Sequence, residues 1–267
     1  MNVLRSLLYR EDVERVLYKL DFEKLTNKKL LITGGLGLIC SAVADLLVIA
    51  NQKFKLNTCI YIAARSRPKF EKRFGACENV IYVAYDATQE VHFDFHVDYI
   101  IHGASLASPE KYTTEPVETM LSNIRGINNL LVYAGQEKVE RVLYISSSEV
   151  YGKKKTGEAF VEGAYGSVNI DSLRSSYAIS KQAAELLCKA YSSEYGVDTV
   201  IARPGHVYGP TASPTDKRVS TDFAFKAANQ CSLVLKSSGL QRRSYCYCVD
   251  VAAALLTILI NGNRAES

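Results

Sequence analysis

The stretch from residue 29 to about residue 50 restricts the fold more than any other part of the chain. Lys29-Leu30-Leu31-Ile32-Thr33 is an apolar run of strand length, Gly34-Gly35-Leu36-Gly37 is a glycine-rich turn, and an apolar helix follows. Glycine admits positive φ and close backbone approach, so such a turn can deliver the first amides of the helix onto an anion. Strand, glycine turn and buried helix in that order open a dinucleotide-binding βαβ unit, with a pyrophosphate on the helix N-terminus. Gly34, Gly37, Leu38 and Ile39 are the residues placed for that contact. Taken alone, the turn is about equally compatible with no ligand.

The rest of the chain keeps the same rhythm. Strands are expected over 30–33, 59–63, 80–84, 99–102, 141–146 and 199–203, with helices between them, notably over 116–136 and 177–195. Alternating strands and helices predict an α/β fold, a Rossmann-type doubly wound parallel sheet covered on both faces. Three regions are expected: a helical extension (1–28), a dinucleotide-binding domain (29–205) and a small, partial C-terminal substrate lobe (206–267). One loop-like shift, rich in Lys, Gly and Ser, spans residues 153–176.

A second constellation carries chemistry. Tyr177 and Lys181 are four residues apart, one turn along a helix face. An ammonium beside a phenol favours the phenolate, so the tyrosine is expected to exchange protons well below its free pKa of about 10. Upstream, Ile145-Ser146-Ser147-Ser148-Glu149 is a serine-rich strand end that can stand opposite the phenol. Together they can take a proton from a sugar hydroxyl, the proton half of a hydride transfer.

Composition removes several other classes. At 267 residues and 48% hydrophobic content the chain can bury one substantial core. A net charge of +4, spread along the sequence, argues against a nucleic-acid partner and an anionic membrane surface. The longest apolar stretch, 251–260, is too short to cross a bilayer. Residues 1–28 are amphipathic and carry both charges, unlike a signal or transit peptide. Seven scattered cysteines fit a reducing cytoplasm. Cys246 and Cys248 fall on one side of an expected strand and read as core thiols, and His92 and His96 lie in a loop or strand edge. No metal is expected.

Further motifs follow in order: His102-Gly103-Ala104-Ser105-Leu106-Ala107-Ser108-Pro109 with Tyr112; Asn123-x-x-Gly126-x-Asn128-Asn129-Leu130; Arg203-Pro204-Gly205-His206-Val207-Tyr208-Gly209-Pro210; and Arg243-Ser244-Tyr245-Cys246-Tyr247 ahead of Asp250. With the glycine turn and Tyr-x-x-x-Lys, these make the chain resemble the extended short-chain dehydrogenase/reductase family, specifically its nucleotide-sugar-modifying enzymes. Ser147-Ser148-Glu149, Gly166-Ser167-Val168-Asn169 with Arg174, and Asp216-Lys217-Arg218-Val219 with Phe223 are similar to its UDP-glucuronate decarboxylase branch. The 4,6-dehydratases carry Asp where Ser148 stands. Dehydration needs an acid for the departing hydroxyl and a serine is a poor one, whereas decarboxylation needs none.

The resemblance implies roles residue by residue. Tyr177 takes the C4 hydroxyl proton as the C4 hydride passes to the nicotinamide; Lys181 keeps the tyrosine acidic and bonds the nicotinamide ribose; Ser147 orients the C4 oxygen; Glu149 acts near C5. Ala104, Asp86 and Ala87 are further cofactor contacts. Ser108, Tyr112, Ser148, Arg174, His206, Arg218 and Arg243 are substrate contacts, Arg243 on the pyrophosphate. A homodimer through the helices 116–136 and 177–195 is also implied, with NAD as cofactor. A 4,6-dehydratase, a 4-epimerase and a non-catalytic dinucleotide-binding protein remain the alternatives.

Four departures matter. Cys40 replaces the third fingerprint glycine, which predicts looser helix–strand packing with binding retained. The strand at 59–63 ends in Ala63-Ala64-Arg65 and not in an acid, and arginine there suits a 2′-phosphate, so NADP stands beside NAD. His206 replaces an asparagine that contacts substrate in relatives. The chain ends at Ser267, soon after the Asp250 helix, where relatives continue, so the lobe is expected to be partial.

Overall fold

Runs such as Leu30-Leu31-Ile32 and Ile100-Ile101 are buried without alternation, which requires a sheet covered on both faces. The computed structural model describes residues 3–75, 77–154, 159–213, 216–235, 237–240 and 242–267. Its elements begin with α1 (Leu7–Leu17), β1 (Lys29–Thr33), α2 (Leu38–Phe54), β2 (Cys59–Ala64), α3 (Arg67–Phe74), β3 (Val80–Ala84), β4 (Tyr99–His102) and α4 (Lys111–Thr114). They continue with α5 (Pro116–Glu137), β5 (Arg141–Ile145), α6 (Ser175–Glu194), β6 (Thr199–Ala202), β7 (His206–Tyr208), α7 (Val219–Ala228), β8 (Tyr245–Tyr247) and α8 (Cys248–Asn261).

Six strands pair in the order β3-β2-β1-β4-β5-β6, all parallel. The chain winds outward from β1 to β3, then returns to lay β4 on the other side of β1. The crevice at that reversal is where a ligand fits in such a sheet. One face is covered by α1, α2 and α8, which share a buried cluster with Leu30, Ile32 and Ile60. The other is covered by α5 and α6, through Ile127, Leu130, Ala184 and Cys188 against Leu31, Ile100 and Val142. Strand β3 is one edge of the sheet and leaves Ile81 exposed. No helix among the described residues is long and apolar enough to cross a membrane.

The expected elements are all present, with ends shifted by a few residues: α2 runs on to Phe54, and α6 begins at Ser175. Of the loop expected over 153–176, residues 155–158 lie outside the described residues. Two packing details differ from expectation. The Cys40 thiol lies where a Cβ on Gly103 would come within 2.3 Å of it, so the bulk added at the missing third glycine is met by a glycine across the interface. Cys248 is buried at the start of α8 but Cys246 is exposed, because the chain turns from strand to helix between them.

The region after 205 divides in two. Strands β7 and β8 pair in parallel and, with α7, stand outside the main sheet. Helix α8 instead buries Leu255, Leu256 and Leu259 against α2, within the sheet's own core. Arg141 of β5 donates to the Leu259 and Gly262 carbonyls at 3.1 and 2.9 Å, placing its charge at the negative end of α8.

The N-terminal helix is tied in by polar contacts as well as by Val13 and Leu17. The Tyr9 hydroxyl donates to Asp45 on α2 at 2.8 Å, and Arg73 of α3 bonds the same carboxylate oxygen. Burial pushes the Asp45 carboxyl up to about 6, against the pull of Arg73. Tyr247 donates to Asp12 at 2.9 Å, joining α1 to β8. Replacing Asp45 with Ala removes the carboxylate that a phenol and a guanidinium share, and should lower stability by about 3–5 kcal/mol. Tyr9→Phe should cost about 1–2 kcal/mol. Urea unfolding of both variants checks the order, and an Asp45→Ala protein as stable as wild type would contradict it.

Candidate active site

The glycine turn sits at the reversal between β1 and β4. Gly34 has φ +68°, and a Cβ there would meet the backbone of Gly103 and Ala104 at 2.8 Å. Only glycine allows that turn to pass under the loop leaving β4. Gly37 caps α2 with no side-chain hydrogen bond, leaving the first amides of the helix for another acceptor. Beside them opens a cavity of about 590 Å³ lined by Gly37, Leu38, Ser105, Ser108, Glu110 and Lys217. A positive-φ glycine, an uncapped helix start and an adjoining cavity fit the pyrophosphate of a dinucleotide. Thr211 donates to the Leu38 carbonyl at 2.7 Å and so ties the segment after β7 to this end of α2.

Tyr177 and Lys181 project from the first turns of α6 toward the end of β5. Ser147 follows β5 directly; its hydroxyl accepts the Glu149 amide at 3.2 Å and hydrogen-bonds Tyr177. Tyr112 of α4 lies flat on Tyr177, with ring centroids 4.3 Å apart and planes 10° from parallel, and also hydrogen-bonds it. Tyr112, expected against substrate, is buried in its packing on Tyr177.

The electrostatics depart from the local expectation. Lys181 is only 2% exposed. Its ammonium donates to the Ile145 carbonyl at 2.7 Å and lies 4.6 Å from the Tyr144 ring centroid but 5.8 Å from that of Tyr177. Burial brings the lysine down to about 7. Burial also raises the Tyr177 phenol, as does Glu149, while the hydrogen bonds from Ser147 and Tyr112 and the charge of Arg218 pull it down. Desolvation is therefore the largest influence on both groups, and the phenol is raised where the spacing predicts it lowered.

Charged groups gather on the open side. Arg174 grips Glu149 with two hydrogen bonds of 3.1 and 3.0 Å. Arg218 closes on Asp216, with Nε 3.0 and 2.8 Å from its two oxygens. His206, on β7, stacks edge-on against Tyr245. Partial burial lowers its pKa, helped by the nearby cations Arg243 and Arg218 and opposed by Glu149. Ser148 starts the short 3₁₀ turn that carries Glu149. The expected residues Ser147, Glu149, Arg174, Tyr177, His206, Arg218 and Arg243 thus converge.

Arg65, Asp86 and Ala87 stand at the other end of the crevice, past β2 and β3. Gly126 on α5 lets the helix approach Ala87 closely, since a Cβ there would lie 3.0 Å from the alanine's own. Sequence reading missed a buried network beneath the site. His102 Nδ1 and the Thr33 hydroxyl share a hydrogen bond of 2.6 Å, and Thr33 also accepts the Ala104 amide at 3.3 Å. Burial, with Lys181 nearby, lowers His102 to about 3 and keeps it neutral. Asn123 donates to Ser180 at 3.0 Å, bracing α6 one residue before Lys181. Its place in the Asn123-x-x-Gly126 motif was the available signal.

Comparison with known proteins agrees with this geometry. The model of the NAD dependent epimerase/dehydratase family matches residues 30–267. UDP-glucuronic acid decarboxylase 6 of Arabidopsis thaliana is 32% identical over 88% of this chain, and the match spans 66% of that relative's length. UDP-glucuronic acid decarboxylase 3 of the same plant is 33% identical over 89% of the chain and 67% of the relative. The chain thus spans about two thirds of these two relatives, and 54% of the UDP-glucuronic acid decarboxylase 1 of Xenopus tropicalis. Among solved structures, the UDP-N-acetylglucosamine 4-epimerase of Methanobrevibacter ruminantium M1, in complex with UDP-N-acetylmuramic acid, superposes with a TM-score of 0.77 at 25% identity, covering 90% of this chain and 75% of that one. Epimerase Mth375 of Methanothermobacter thermautotrophicus, at 22% identity and a TM-score of 0.79 over 97% of this chain and 74% of that one, shares the fold. With its glycine turn, its Tyr177–Lys181 helix and a family match from β1 onward, the chain belongs to the NAD dependent epimerase/dehydratase family.

Proposed function

We propose that this protein is a nicotinamide-dinucleotide-dependent enzyme that modifies a nucleotide sugar through transient oxidation at C4, and that UDP-glucuronate decarboxylation is its reaction. The observation that carries this reading is the buried Tyr177 phenol, hydrogen-bonded by Ser147 and Tyr112 with the Lys181 ammonium behind it. A bound dinucleotide supplies the hydride acceptor and later returns the hydride.

The chain's own residues handle the protons. Tyr177 acts from its phenolate form, which the hydrogen bonds donated by Ser147 and Tyr112 favour against the burial that holds the proton on the phenol. It takes the C4 hydroxyl proton, with Ser147 orienting the C4 oxygen. A C4 ketone then accepts the electron pair when the C5–C6 bond breaks, carbon dioxide leaves, and a proton is returned to C5. Glu149 is placed for that proton, its carboxylate fixed by Arg174. Arg243, Arg218 and His206 suit the anionic groups of a nucleotide sugar, and Ser108 and Ser148 its hydroxyls. The dehydratase and epimerase readings share the C4 step; Ser148, a poor acid, favours decarboxylation.

We also propose a homodimer through α5 and α6, which expose Val117, Val132 and Leu186, and a cytoplasmic location, where the seven free thiols stay reduced.

Incubation with UDP-glucuronate and dTDP-glucose, read by mass spectrometry, tests the reaction. Loss of carbon dioxide from the first is expected; loss of water from the second would replace the decarboxylase by a dehydratase, and no change in either would favour a binding protein. Tyr177→Phe should lower turnover by about 100- to 10,000-fold while leaving dinucleotide binding intact by calorimetry.

Lys181 gives a pH test with a definite sign. Its folded pKa of about 7 lies below the unfolded value of 10.5, so the folded state resists the proton that the unfolded state keeps. The burden is full below pH 7 and eases as pH rises toward the unfolded value. Lys181→Met should therefore lose activity yet gain stability over wild type, most at pH 6.5 and less at pH 9. A stabilisation independent of pH in denaturant unfolding would contradict the buried, titrating ammonium.

A further inference from the structure

The end of β2 differs in charge from the rest of the dinucleotide crevice. Strand β2 lies beside β1, and the Gly34 amide donates to the Ala63 carbonyl at 3.0 Å, so the residues after Ala64 stand next to the glycine turn. In sites of this topology the adenosine ribose lies there, and an acid about 20 residues past the glycines accepts a hydrogen bond from its 2′-hydroxyl. Here Ala63 and Ala64 are buried and offer no acceptor side chain, and the next residue is the exposed Arg65.

The neighbouring polar groups are partly engaged. Asp86, just past β3, accepts the Thr88 amide at 2.9 Å and the Thr88 hydroxyl at 2.8 Å on one oxygen. Ser66, capping α3, accepts the Lys69 amide at 3.4 Å. Arg67 reaches Glu71 at 3.4 Å and lies over the Tyr82 ring, 5.6 Å from its centroid. The Arg65 side chain makes no hydrogen bond or salt bridge among the described residues, although it is close enough for its charge to act on Asp86.

A 2′-hydroxyl brought here meets a donor and little to receive its proton. A 2′-phosphate meets an unengaged guanidinium, whose planar fork matches paired phosphate oxygens, with the Ser66 hydroxyl proton beside it. Resting on the dinucleotide reading proposed above, we infer that Arg65 makes this chain prefer the 2′-phosphorylated dinucleotide, NADP, to NAD. The family description names NAD, so the preference is a local departure confined to one strand end.

Equilibrium binding tests it without turnover. Isothermal titration of the intact protein with NADP⁺ and with NAD⁺ should give about 10- to 100-fold tighter binding of NADP⁺, as a charge-assisted pair to a phosphate implies. Arg65→Ala should bring the two within about three-fold of each other by weakening NADP⁺ alone, and Arg65→Lys should keep part of the preference as a point charge. Arg65 is exposed, so an unchanged melting temperature is expected for both variants. Equal or tighter binding of NAD⁺ by the wild type, or an Arg65→Ala protein that weakens both ligands alike, would overturn the inference and leave the dinucleotide reading standing. Binding of neither ligand would end both.

Discussion

The site depends on one buried positive charge. The Lys181 ammonium has left water, kept one hydrogen bond to the Ile145 carbonyl, and come to rest against the Tyr144 ring behind Tyr177. Holding a lysine there is unfavourable at neutral pH, which is why its pKa falls to about 7. A fold tolerates such a group only where the surrounding layers fix it. Here β5 supplies the acceptor, α6 supplies the lysine and the tyrosine together, and Asn123 of α5 braces the helix between them. His102, kept neutral below the site, adds no competing charge.

From that point outward the molecule is graded from dry to wet. Tyr177 and Tyr112 are buried and stacked; Glu149 and Arg174 are half-exposed and paired; Arg218, Arg243 and His206 face the open side. On the proposed reaction, proton transfer falls where water is scarce, and anion recognition where charges stay hydrated until a substrate arrives. The small sheet of β7 and β8 carries the outer groups, while α8 returns to the main core and anchors that sheet to α2.

The layout of the sheet was legible because its signals are local: an apolar run, a glycine turn, and alternation of strand and helix lengths. The convergence of Ser147, Tyr177 and Lys181 was legible for the same reason, through helical spacing and a serine-rich strand end. What depends on contacts between distant segments was not. Tyr9, Asp45 and Arg73 meet across 36 and 28 residues of sequence, and no pattern marks them. The compensation of Cys40 by Gly103 likewise crosses from one βα unit to another. The effect of Lys181 on Tyr177 was misjudged because spacing gives proximity but not burial, and burial dominates both groups. For Tyr112 the motif gives a position, and only the fold shows that its ring lies on Tyr177.

The central claim is that a carbinol carbon at C4 is oxidised and then restored within one turnover. UDP-glucuronate carrying deuterium at C4 tests it most directly. The account predicts slower turnover than with unlabelled substrate, and a decarboxylated product that keeps its deuterium at C4. Product formed at an unchanged rate, or with deuterium lost to solvent, would contradict it.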